Sequence, residues 1–161
     1  MKQLRLAVLI VLSATLVPLV SAHAQGKPDF SGTWKMDQTR SESAAQTHPI
    51  GPVTLVIKQT PNELTIETTR NDGSTVMMFK LDGSEVTIPG GTAKTYWDGV
   101  KLVTEVERYV QGQAVTTKET RTLATGGNEM LVDMTLVVQH GYSANTSNYG
   151  TGKDIYVRSS K

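Results

Sequence analysis

The stretch Val100-Lys101-Leu102-Val103-Thr104-Glu105-Val106-Glu107-Arg108-Tyr109-Val110 decides how this chain folds. Val100, Leu102, Thr104, Val106 and Val110 share one parity, against Lys101, Val103, Glu105, Glu107 and Tyr109 on the other. Alternation of this kind marks a half-buried strand, because successive side chains leave a pleated backbone on opposite faces. Gln111-Gly112 follows at once, and glycine tolerates the positive φ of a tight hairpin turn. The segment is a strand with one wet face that turns back on itself.

The same reading extends in both directions. Val53, Leu55 and Ile57 alternate with polar neighbours over residues 53–60, and Leu64 and Ile66 do so over residues 64–70. Met130, Val132, Met134, Leu136 and Val138 line one side of residues 129–138. Asn71-Asp72-Gly73, Asp82-Gly83, Asp98-Gly99 and Gly126-Gly127-Asn128 separate such runs, and Pro61-Asn62 does the same between the second and third. The pattern predicts an all-β, antiparallel, up-and-down meander of about eight to ten strands. Residues 38–52 and 139–152 break it, and residues 40–46 are open to either a short helix or a loop, since they lack an apolar stripe. A meander must hide its edges, and closing into a barrel does so. The charged outer parity (Lys101, Glu105, Glu107) and the apolar inner one fit a barrel in water rather than in lipid.

Residues 1–24 have the three parts of a secretory leader. Lys2 and Arg5 precede an apolar run from Leu6 to Val20, and Ala22-His23-Ala24 is an A-x-A cleavage site. Residues 25–161 are then one barrel domain, destined for a bacterial periplasm or the exterior, with no membrane span after cleavage. The whole chain carries a formal charge of +1, and loss of the two leader cations makes the remainder slightly acidic. With no basic block, nothing attracts nucleic acid. Cysteine is absent, which removes disulfides, thiolate metal sites and a cysteine nucleophile.

Four residues past the leader begins Asp29-Phe30-Ser31-Gly32-Thr33-Trp34-Lys35. Gly32-x-Trp34 resembles the lipocalin signature of the calycin superfamily, and the longer opening resembles secreted bacterial lipocalin-like proteins. Leu81-Asp82-Gly83, Trp97-Asp98-Gly99-x-Lys101-Leu102 and Arg121 before Gly126-Gly127 extend the likeness. The resemblance implies a lipocalin-like barrel whose floor is plugged by Trp34, with Gly32 allowing close backbone approach. It also implies an arginine from a late strand stacked on the indole, for which Arg121 is the first candidate and Arg108 the second.

Three charges fall on the inward parity: Arg108, between Val106 and Val110, and Glu119 and Arg121 on the next strand. Buried charges need each other, water or an anionic ligand. Arg108, Glu119 and Arg121 are therefore the candidate ligand-binding residues, with Arg108 a candidate anchor for a carboxylate; a bulge that turns one arginine to solvent is the competing reading. His48 and His140 lie in the irregular segments and make no metal or haem set, so neither metal nor cofactor is expected. Glu105 and Glu107 share a face, but it is the wet one, and no Ser-His-acid arrangement is legible.

The leading expectation is non-enzymatic binding of a small hydrophobic or amphipathic molecule in the barrel. Two alternatives remain: a structural or partner-binding envelope module whose lumen is filled by Phe30, Met78, Trp97 and Met134, and a calycin-type enzyme. A fold alone does not choose among them.

Overall fold

The computed structural model describes residues 26–43, 50–139 and 147–159. The expected leader, residues 44–46 of the helix-or-loop stretch, His48 and His140 lie outside the described residues. Ten strands follow in chain order: β1 (Gly32–Met36), β2 (Thr54–Gln59), β3 (Glu63–Arg70), β4 (Gly73–Lys80), β5 (Glu85–Ile88), β6 (Gly91–Asp98), β7 (Lys101–Val110), β8 (Gln113–Leu123), β9 (Glu129–Gln139) and β10 (Ser147–Arg158). All pairings are antiparallel, in the single order β4-β3-β2-β1-β10-β9-β8-β7-β6-β5. The first and last strands pair, so the free edges fall on β4 and β5. β4 lies against β5 and β6 without a hydrogen-bonded ladder, leaving a nearly closed barrel.

Alternation does what the sequence predicts. Leu55, Ile57, Leu64, Ile66, Leu102, Met130 and Val132 point inward and are buried. Burying each such side chain contributes roughly 1.5–3 kcal/mol. The tightest packing is at one end, where Phe30, Trp34, Leu64, Leu102 and Met130 have no exposure at all and form a floor. At the opposite end β7 and β8 run on to a two-residue turn, in which Gln111 (φ 51°) and Gly112 (φ 77°) are both left-handed. Tyr109 and Val110 beside that turn are exposed, so the mouth is at this end.

Three local expectations need correction. Residues 147–152, read as irregular, form the first half of β10 and pair with β9 from Gln139 to Met134. Gly150 and Gly152 carry no side chain to alternate, which hides the strand. Met78 is 60% exposed on the outer face, and its neighbour Met77 takes the inward place. The run Val76-Met77-Met78-Phe79 is apolar on both parities, so its register cannot be read locally. Val100 lies in the turn before β7 rather than in the strand.

Candidate functional site

The floor is built around Trp34. Its indole Nε1 donates to the Phe30 carbonyl at 2.9 Å, and the Arg158 guanidinium lies 4.1 Å from the ring centroid. Arg158 is held there by donating Nε to the Gly127 carbonyl at 2.9 Å and Nη1 to the Ser31 carbonyl. Gly32 has φ 137°, and a Cβ there would come within 2.5 Å of Arg158 Nη1. The glycine of the Gly32-x-Trp34 element thus clears space for the stacked arginine.

Neither Arg121 nor Arg108 occupies that place. Arg158 does, because its Cα sits directly opposite Trp34 in the β1–β10 ladder. Arg121 instead turns into the lumen with Glu119 and Arg108, as their strand parity predicts. All three line an internal cavity of about 230 Å³. The wall from β1 to β4 is mainly apolar, including Met36, Leu55, Ile66, Met77 and Phe79. The facing wall carries Thr104, Glu119, Arg121, Asp154 and Tyr156.

The rungs of the sheet explain how the polar wall is assembled. Arg121 is opposite Val132, and Val132 is opposite Asp154, so two charges two strands apart share one level. Glu119 pairs across to Thr104 one step nearer the mouth. Arg121 is buried; its Nη2 donates to Glu119 Oε2 and its Nη1 to the Thr104 hydroxyl at 3.1 Å. Thr104 shares a further hydrogen bond with the buried Thr95 at 3.1 Å. Arg121 Nε is buried and makes no hydrogen bond among the described residues, an unsatisfied donor of a kind that usually costs ~1–3 kcal/mol. The Glu119 side chain keeps 33% exposure, against 7% for Arg121, so the carboxylate is the more exposed member of the pair.

Asp154 and Tyr156 were not singled out from the sequence. Asp154 Oδ1 accepts from the Ser43 amide at 3.0 Å, and its Oδ2 accepts from the Ser43 hydroxyl at 2.6 Å. Burial, followed by the charges of Asp154 and Glu119, holds the Tyr156 phenol well above its ordinary range, and the opposing effects of Arg121 and Arg70 are smaller. The available signal was parity: Asp154 and Tyr156 alternate with Lys153, Ile155 and Val157 in the same register as Arg158. Arg108 is half-buried on the cavity wall, four residues and roughly 13 Å along β7 from Thr104, toward the mouth. Arg70, also missed, lies at the rim and is exposed.

Glu105 and Glu107 face outward, and Glu105 accepts from the Tyr96 hydroxyl at 2.9 Å and pairs with Lys118 at 3.4 Å. Among the described residues no three His, Cys, Asp or Glu side chains are grouped to hold a metal ion. Nor, among those residues, is any helix long and apolar enough to cross a membrane.

No protein-family model and no curated protein matches the chain. Solved structures do. Apo lipid binding protein 8 of Caenorhabditis elegans matches with a TM-score of 0.57 at 13% identity, covering 81% of this chain and 95% of that one. The fatty acid transporter REP1-NXSQ gives 0.53 at 15% identity, with 81% and 96% covered. A mutant of the fluorescent protein UnaG gives 0.52 at 18% identity, with 82% and 97% covered. At these identities the likeness is one of fold alone, that of the antiparallel barrel.

Proposed function

We propose that this protein is a binding protein for a small amphipathic molecule held inside the barrel. The carrying observation is the cavity of about 230 Å³, with an apolar wall facing a short polar one that includes Glu119, Arg121, Asp154 and Tyr156. Ligand sites are concave and mostly apolar, with a few placed polar groups, and this lumen has that composition. That two of the similar barrels are named for lipids and fatty acids supports the same class of ligand. Removal of residues 1–24 and release of the chain outside the cytoplasm belong to this proposal, as does kinship with secreted bacterial lipocalin-like proteins. Gly32, Trp34 and the stacked Arg158 support the kinship.

Native mass spectrometry of the protein purified from its own source tests both parts. The expected species starts at Gln25 and carries a retained small-molecule mass. A bare chain that also fails to bind environment-sensitive hydrophobic dyes overturns the binding reading, and an intact residue 1 overturns the leader.

A further inference from the structure

The charges around the lumen are sorted by depth. Arg70 and Arg108, which form no ion pair among the described residues, lie toward the mouth. Deeper, one cation (Arg121) faces two carboxylates (Glu119 and Asp154), a formal excess of negative charge. Arg121 donates from Nη1 to Thr104 and from Nη2 to Glu119, and its Nε is buried. Asp154 is engaged by Ser43 through both oxygens. Of the Arg121–Glu119 pair, the more exposed group is the Glu119 carboxylate, which accepts hydrogen bonds and donates none.

We infer that the inner lumen takes the hydrogen-bond-donating head of a short amphiphile, a primary alcohol or primary ammonium, and discriminates against the matching carboxylate. A third carboxylate beside Glu119 and Asp154 is repelled in a poorly hydrated space, where the charge of Arg121 is already matched by Glu119. Reversed, with its head at the Arg108 level, it would lay its alkyl tail on the charged wall and leave that wall without water. The size follows from the volume. A cavity of ~150 Å³ holds benzene, so about 230 Å³ suits roughly nine non-hydrogen atoms. The inference rests on the binding reading and narrows it to a donor-headed ligand selected by Glu119.

Calorimetric titration of the purified protein at neutral pH with octan-1-ol, octylammonium and octanoate tests it. Each donor-headed compound is expected to bind at least about tenfold more tightly than octanoate. A smaller ratio for either overturns the selectivity while leaving cavity binding intact. Binding of none of the three, with no displacement of a bound hydrophobic dye, overturns the binding reading itself. In Glu119→Gln, with folding checked by circular dichroism, the preference over octanoate is expected to shrink several-fold; an undiminished preference overturns the role of Glu119. Should that variant fail to fold, the ranking in the unaltered protein still decides.

Discussion

Trp34 owes its place to three contacts that close on one another: its own hydrogen bond to Phe30, the guanidinium of Arg158 above it, and the missing side chain of Gly32. Removing the indole leaves a cavity in the most tightly packed part of the molecule. Trp34→Ala is therefore expected to lose ~3–5 kcal/mol. For a domain of this size that is a drop of about 10 °C in melting temperature. A double-mutant cycle with Arg158→Leu should recover a coupling of ~0.5–2 kcal/mol from the stacked pair. Additive losses would mean that Arg158 acts only through its backbone-directed hydrogen bonds. The Gly32-x-Trp34 element was readable as a plug, but its arginine was not, since Trp34 and Arg158 meet only when the chain's ends pair.

The elements differ in how much they reveal. β7 is legible because every inward place from Leu102 to Val106 is apolar or Thr and every outward place except Val103 is polar or aromatic. β4 is not, because it is apolar on both parities, and the one-residue ambiguity exchanges Met77 for Met78. The start of β6 is equally quiet in sequence: Gly91, with no side chain to alternate, is its first residue and pairs with Arg108. A Cβ at Gly91 would collide with the Glu107 carbonyl, and backbone cannot swing aside as a flexible side chain can. Gly91→Ala is expected to cost ~1–3 kcal/mol and to speed hydrogen exchange in β5 and β6. Gly26→Ala, where nothing lies within 4 Å, is the neutral control. Equal melting temperatures for the two variants would contradict the close approach of β6 and β7.

For the whole molecule, closure of the barrel converts a local group into a global term. Tyr156 is 7% exposed beside Asp154 and Glu119, and its phenol stays protonated in the fold well above its ordinary value near 10. A raised acid of this kind contributes stability that is fully present below the unfolded value and is lost as pH rises past it. Above about pH 10, unfolding free energy should fall by up to ~1.4 kcal/mol per pH unit from this group. Denaturant titrations from pH 8 to 11 should show a shallower decline in Tyr156→Phe. Tyr96, raised chiefly by its hydrogen bond to Glu105, leaves part of the slope in place. Identical alkaline slopes in the two proteins would show that Tyr156 ionises as freely in the fold as out of it.

Period-two alternation and glycine-bearing turns are properties of a few neighbouring residues. The sequence by itself therefore determined most of the strands and of their faces, the hairpin connections, and the inward parity of Arg108, Glu119 and Arg121. Tertiary structure decided what those local patterns cannot carry. It chose Arg158 over Arg121 for the indole, brought Ser43 to Asp154 across 111 positions, and left the ladder open between β4 and β5. Such contacts depend on which strands become neighbours when the sheet curls. Only that closure turned three inward charges into one wall of a cavity, on which Glu119 is more exposed than its partner Arg121.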